Sequence, residues 1–252
     1  MKLLVVGAGE MGRWVADTVD ADVAFCDADP SVAADAAAPR GARRVPPATD
    51  ESFEVVCLAV PMSAIPNAVE TYAPSATDAI FDVSGVMADP LAAMAEAAPD
   101  LERASFHPLF APPRVPGNVA VVTATDGPRL DAIREAMREA GNTVFETTPE
   151  EHDQAMETVQ ASAHTAVLAY ALAAESVREE FATPVSAQLE EIAATVTEGD
   201  AGVYSEIQST FAGADAVAEA AERIAAADDE TFVDLYKQAQ ANINTDARER
   251  HQ

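Results

Sequence analysis

Residues 2–13 read KLLVVGAGEMGR, a short apolar run that leads directly into Gly7-x-Gly9-x-x-Gly12. Residues 3–6 are all apolar, as in a parallel strand covered on both faces. Gly7 permits a sharp turn, Gly9 lets the backbone approach a pyrophosphate, and Gly12 lets the next helix pack close to the strand. The helix entered through Ala8, Glu10 and Met11 presents free N–H groups and a positive dipole end to phosphates. A second strand-like run, DVAFCD, ends in Asp27, twenty residues after Gly7. That is the offset expected of a carboxylate that holds a ribose 2′-hydroxyl. The segment therefore reads as a Rossmann dinucleotide site. An ordinary βα turn is the plainer alternative.

Asp27 also bears on the choice of cofactor. A carboxylate accepts hydrogen bonds from ribose hydroxyls and repels a 2′-phosphate, and no basic residue follows until Arg40. NAD is expected over NADP. Asp29 could take the acid's place, and Arg40, Arg43 and Arg44 could fold back toward a phosphate; a solvated turn before the next strand is the expectation for these arginines.

The chain of 252 residues carries a formal charge of −28, with 43 acidic against 15 basic side chains, of which only Lys2 and Lys237 are lysines. Such an excess argues against nucleic acid and anionic membrane surfaces as partners. A hydrophobic fraction of 49% argues against disorder. Acidity spread along the chain with little lysine resembles cytosolic proteins of salt-loving organisms, where concentrated counterions screen self-repulsion. Poor stability in dilute buffer follows as an expectation. Cys26 and Cys57 fall in strand-like runs and read as buried free thiols in a reducing compartment. No metal-type cluster, signal peptide or membrane-length apolar run is evident, so a cytoplasmic protein is expected.

Strand-like runs at 3–6, 23–26, 54–60, 79–83, 119–123 and 143–145 alternate with helix-like runs at 10–19, 31–38, 64–72, 90–97 and 128–140. That alternation predicts an α/β fold with a doubly wound parallel sheet over residues 1–148. From 149 to 252 the periodicity is helical and alanine-rich, punctuated by Pro184, Gly199 and Gly213. An all-helical second domain is expected there. Its first helix, about 150–181, is apolar around most of its circumference, which fits burial against a second subunit in a homodimer, or else within the chain's own bundle.

Four histidines are present: His107, His152, His164 and His251. His251 is next to last and is expected to be disordered. His107 precedes Pro108, which favours an extended backbone and so a strand end facing the ligand crevice. Gln160 and His164 stand four residues apart and share a helix face, where they could line a substrate or merely pack in a core. Ser84, in DVSG, and Val60-Pro61 also fall at strand ends beside the crevice.

These segments together resemble the prephenate dehydrogenase family of tyrosine biosynthesis. The resemblance is carried by GAGEMG (7–12), AVP (59–61), DVSGV (82–86), HPLF (107–110), EEHDQAMETVQASAH (150–164) and DAGVYSEIQ (200–208). It implies a Rossmann domain, a helical domain that dimerises, and NAD(P)-linked oxidation of prephenate with loss of carbon dioxide. It gives His107 the role of proton acceptor, with Ser84 as the nearby hydroxyl, although the family's serine aligns with Gly85. His164, Gln160 and Tyr204 would contact the small-molecule substrate, prephenate or its amino analogue arogenate. His152 and Asp153 match family signature positions. Two departures stand out: Met87 occupies a place usually held by lysine, and no arginine precedes Asp200 to grip a substrate carboxylate. Arg114 and Arg178 are the candidate substitutes. Other readings are a different Rossmann-plus-helical oxidoreductase and a non-catalytic NAD-sensing dimer; a β-hydroxyacid enzyme would want a lysine between 150 and 181, and none is there.

Overall fold

In the computed structural model, residues 1–47 and 49–249 are described. The chain divides into two compact units, Met1–Met156 and the remainder from Glu157. The division falls later than the boundary expected after residue 148.

The first unit contains eight strands: β1 (Lys2–Val6), β2 (Asp22–Cys26), β3 (Arg43–Arg44), β4 (Phe53–Leu58), β5 (Ala76–Asp82), β6 (Glu102–Pro108), β7 (Asn118–Thr125) and β8 (Thr143–Glu146). They form one sheet in the order β3-β2-β1-β4-β5-β6-β7-β8. Helices α1 (Glu10–Thr18), α2 (Pro30–Ala37), α3 (Ile65–Tyr72), α4 (Ala88–Ala97), α5 (Pro128–Glu139) and α6 (Pro149–Met156) belong to the same unit. Side chains alternate between the two faces of the sheet, so β1 feeds two cores. Leu3 and Val5 join Phe25, Phe81 and Phe106 on one side, and Leu4 and Val6 join Leu58, Ile80 and Met94 on the other. Each such buried side chain contributes roughly 1.5–3 kcal/mol of transfer free energy.

All neighbouring pairs are parallel except β6 with β7. The link between those two strands holds only the 3-10 turn Pro112–Arg114, too little chain for a helical crossover. Strand order reverses at β1, with β2 on one side and β4 on the other. A ligand crevice opens at such a switch point, beyond the carboxyl ends of the strands. The basic cluster differs from the expected turn. Arg43–Arg44 forms the edge strand β3, while Arg40 holds Asp17 at 2.6 and 2.5 Å and Arg43 holds Glu51 at 2.9 Å.

The second unit begins with a π-helical turn, Glu157–Ser162, and continues through α7 (Ala163–Ala173), α8 (Pro184–Thr197), α9 (Ala201–Thr210), α10 (Gly213–Ala225) and α11 (Asp229–Glu249). The single helix expected over 150–181 is therefore interrupted and ends early. The π turn fits a close approach by α10: a Cβ on Gly213 would lie 2.2 Å from the Glu157 carbonyl, and the Ser162 hydroxyl reaches the carbonyls of Glu157 and Gly213 at 2.9 and 3.0 Å. After Ala173 come Glu175, Glu179 and Glu180, whose charge is disfavoured at a helix C-terminus. Pro184 opens α8 behind a capping box between Thr183 and Ser186.

Candidate active site

The glycine motif folds as its spacing requires. Gly7 has φ +93, a conformation that L side chains rarely adopt, and a Cβ there would lie 2.1 Å from the Ala59 carbonyl. A Cβ on Gly12 would fall 1.9 Å from the Gly7 carbonyl, whereas one on Gly9 would meet nothing within 4 Å. The turn thus has a packed floor and an open lip. Gly9 caps α1 without a side-chain acceptor, and Gly9 and Glu10 are exposed, which leaves the first helical N–H groups facing outward. Asp27 follows β2 directly. Its two carboxylate oxygens accept from the Ala8 and Asp29 amides at 2.8 and 2.9 Å, tying the acid to the glycine turn. Asp29 instead caps α2 by accepting from the Ser31 amide at 2.8 Å, so it does not take the place of Asp27. Arg13, a residue the motif does not single out, braces the turn by donating from Nε to the Ala8 carbonyl at 2.9 Å. These residues fit a dinucleotide: a cradle that side chains would fill, free amides above it and a ribose-type acceptor at the next strand end.

The neighbouring strand ends are stitched into one edge. Gly7 donates to Cys26, Ala59 to Val6 and Val83 to Leu58, at 2.8, 2.7 and 3.0 Å. Val60 is half-buried and its Cγ1 would lie 3.1 Å from a Cβ on Gly7; Pro61 is exposed at the start of the next turn. At the same carboxyl edge, β6 delivers His107. A Cβ on Gly85 would stand 3.7 Å from His107 Nε2 and 3.0 Å from Met62 Sδ, so the loops after β4, β5 and β6 converge on this imidazole.

His107 is 7% exposed and its Nδ1 lies 2.8 Å from His152 Nε2. His152, on α6, is 2% exposed and its Nδ1 lies 2.7 Å from Asp153 Oδ1. The Met87 amide also donates to that oxygen, at 3.4 Å. Burial, and next the adjoining His152 ring, push the His107 pKa down to about 3, so the ring is neutral near pH 7.

Ser84 is buried. Its hydroxyl lies 2.6 Å from Asp82 Oδ1 and 2.9 Å from the Val86 carbonyl. Asp82 itself is fully buried, and burial raises its pKa to about 7. The hydroxyl expected to assist His107 is thus engaged within its own loop. In the helical unit, the His164 ring packs edge-on against Tyr204, with centroids 4.8 Å apart. His164 Nδ1 is buried with no hydrogen-bond partner among the described residues, and burial lowers its pKa. Gln160 sits in the π turn; one turn on, Thr165 donates to Gln208 at 2.8 Å and Gln208 donates to the Ala161 carbonyl at 3.1 Å. Arg114 is exposed in the turn after β6, and Arg178 lies over the Phe181 ring at 4.9 Å. His251 lies outside the described residues. Among the described residues no His, Cys, Asp and Glu group could hold a metal, and no helix is long and apolar enough to cross a membrane.

No protein-family model matches the sequence. A 4-amino-4-deoxyprephenate dehydrogenase from Streptomyces pristinaespiralis is 32% identical over 207 residues, which cover 73% of this chain and 68% of that protein. Among solved structures, a prephenate dehydrogenase from A. aeolicus, in complex with hydroxyphenyl propionate and NAD+, is similar with a TM-score of 0.70 at 15% identity, covering 100% of this chain and 97% of that one. An arogenate dehydrogenase from Synechocystis is similar with a TM-score of 0.63 at 16% identity, over 100% and 93% of the two chains. The structural matches extend the shared fold over both units. With 32% identity to a curated relative over 73% of its length, the chain belongs to the prephenate dehydrogenase family.

Proposed function

We propose that this chain oxidises and decarboxylates prephenate to 4-hydroxyphenylpyruvate with NAD as hydride acceptor. One observation carries the reading. A buried, neutral imidazole, His107, ends a strand on the same sheet edge as the glycine turn. Gly7, Ala8, Gly9, Glu10, Met11 and Gly12 would hold the cofactor's diphosphate, Asp27 its adenosine ribose, and Val60 and Pro61 would border it. NAD held by these residues would supply the acceptor for the hydride of the hydroxyl-bearing ring carbon. His107 Nε2 accepts the proton of that hydroxyl as the oxygen becomes carbonyl-like. Loss of the ring carboxylate as carbon dioxide leaves its electron pair to the ring, which becomes aromatic, and the oxygen recovers its proton from His107. General-base assistance of this kind contributes roughly 10²–10⁴-fold. Ser84 keeps the Gly85 loop in place beside the base. On the helical unit, His164, Gln160 and Tyr204 carry the proposed substrate contacts, and Arg114 is the proposed cation for a substrate carboxylate.

A second reading is favoured by the 32%-identical relative: a substrate with an amino group in place of the ring hydroxyl. A neutral His107 would serve there too, because an ammonium must shed a proton before its nitrogen can push hydride away. Arogenate is the third member of the set. The residues given to cofactor and base are common to all three. We also assign the helical unit to homodimer formation. Helix α7 is mostly apolar, with His164 and Thr165 in its first turn, yet has no buried residue in the single chain, and Leu172 is 88% exposed. A cytoplasmic location accords with two buried free thiols.

The test is NADH formation in molar KCl with each of the three substrates. Prephenate should give the highest kcat/KM, and His107→Ala should lower it about 100-fold or more. A variant with undiminished activity would remove His107 from the chemistry. Preference for the amino compound would replace the first reading with the second.

A further inference from the structure

We propose that His152 and Asp153 are positioning residues that act through His107: they fix its tautomer and take up the charge it gains. The proposal deepens the dehydrogenase reading and rests on His107 as its base.

The assignment follows from counting protons along two short contacts. A carboxylate only accepts, so across 2.7 Å it is His152 Nδ1 that carries the proton toward Asp153 Oδ1. A neutral ring has one N–H, which leaves His152 Nε2 as the acceptor. Across 2.8 Å that atom accepts from His107 Nδ1–H. His107 Nε2 is then the bare nitrogen, and it lies on the Gly85 side of the ring, where a Cβ would stand 3.7 Å away. With one proton on each ring and the carboxylate as acceptor, this arrangement makes both contacts hydrogen bonds. The opposite tautomer would put a proton on the nitrogen that has to accept one.

The same line handles the charge. When His107 Nε2 takes the substrate proton, its Nδ1 proton can move to His152 Nε2. The positive charge then sits on the ring that touches the Asp153 carboxylate. Return of the proton to the product oxygen reverses both transfers, so atoms and charge balance over the cycle. His152 bears on His107 directly, and Asp153 stands behind it. Asp82, on neighbouring β5, directs Oδ1 to Ser84. The Met87 amide, at the start of α4, helps hold Asp153 Oδ1 in line.

Asp153→Asn tests this with little risk to folding, because it is isosteric and the Asp153 side chain is 26% exposed. An amide can donate as well as accept, so His152 can turn its proton toward His107 and protonate Nε2. We expect kcat to fall about 100-fold with KM for substrate little changed, and a shifted acid limb in the pH profile. Asp153→Glu should restore part of the rate. A readout without turnover accompanies it: nitrogen NMR of histidine-labelled protein lacking cofactor. The wild type should show His107 Nε2 as the unprotonated, pyridine-type nitrogen, and Asp153→Asn should convert it wholly or partly to the protonated type. A protonated Nε2 in the wild type, or a variant that changes neither the nitrogen signal nor kcat, would overturn the relay. The expected NMR result with no turnover of any of the three substrates would instead overturn the dehydrogenase reading and leave the tautomer assignment standing.

Discussion

At the scale of single residues, the site depends on which atom of a side chain is already engaged. Asp27 holds the Ala8 and Asp29 amides with its two oxygens, and each oxygen keeps a lone pair for a ribose hydroxyl. The acid shapes the glycine turn and is proposed to hold the ribose, and two substitutions separate these effects. Asp27→Asn keeps an acceptor for the turn but loses the charge. Asp27→Ser loses both. Charge-assisted hydrogen bonds are worth about 1.5–3 kcal/mol, so Asp27→Ser should weaken NAD binding by about 10–100-fold and narrow the margin over NADP. Asp27→Asn should narrow that margin while weakening NAD less. Fluorescence titration with both cofactors checks this, and NAD affinity unchanged in both variants would remove Asp27 from the ribose. The place of Asp27 beside the glycine turn was legible because motif and offset lie within 27 residues. The pairing of His107 with His152 was not legible in the same way, since 45 residues separate them and only the fold brings α6 beside β6. The HD dipeptide marked the place and gave no partner. Nor does sequence reveal that the Ser84 hydroxyl is held by Asp82 and Val86, because that depends on how the loop after β5 closes.

At the scale of elements, long apolar runs announced themselves and short or tertiary-determined ones did not. Strands β1, β2 and β4 are nearly continuous apolar stretches, and β5 has an apolar core at Ala79–Phe81, so their existence could be read directly. β3 is two arginines, Arg43 and Arg44, with no periodicity to read; only pairing with Ala24 and Phe25 makes it a strand. The π turn before α7 is likewise set by contact, here the close approach of Gly213 to Glu157. Strand β5 also contains a pH response. Its last residue, Asp82, ordinarily titrates at 3.8 and is raised by burial to about 7. Between those values the folded chain keeps a proton that the unfolded chain releases. The stability this carboxyl contributes is full below about pH 4 and is lost as the pH rises through about 7. His107 works in the opposite sense. Its folded value of about 3 lies below the ordinary 6.5, so its contribution is present above about 6.5 and is lost as the pH falls toward 3. Comparing wild type with Asp82→Asn cancels the histidine and isolates the carboxyl, because asparagine can still accept from the Ser84 amide. From about pH 5 to pH 8 the wild type should lose on the order of 1–3 kcal/mol relative to the variant. Urea unfolding at the two pH values measures the difference, and parallel changes in both proteins would mean that Asp82 is ionised throughout.

At the scale of the whole molecule, charge dominates. A formal charge of −28 on 252 residues produces self-repulsion that the few cations offset locally. Several of those cations are already engaged: Arg129 with Glu54 and Asp78, Arg134 with Asp126 and Asp131, Arg40 with Asp17. Arg134 is buried, whereas the more exposed pairs are each worth less than about 1 kcal/mol, and so few pairs cannot offset the total. Mobile cations can, because at about 1 M salt the screening length shrinks to about 3 Å. The thermal midpoint should therefore rise steeply from dilute buffer to about 2 M KCl. For a chain of this size, each kcal/mol corresponds to about 2–4 °C, so a gain of several kcal/mol appears as a shift on the order of 10 °C. Two controls separate screening from other causes. Sucrose stabilises by exclusion from the surface without screening and should give a smaller shift at matched water activity. Association of the exposed apolar helices would also stabilise, but that contribution grows with protein concentration, whereas screening within one chain does not. The salt shift should accordingly persist when the protein is diluted about tenfold, a change that moves mass action by about 1.4 kcal/mol. A midpoint that does not respond to KCl at either concentration would mean that the acidic surface is balanced without counterions.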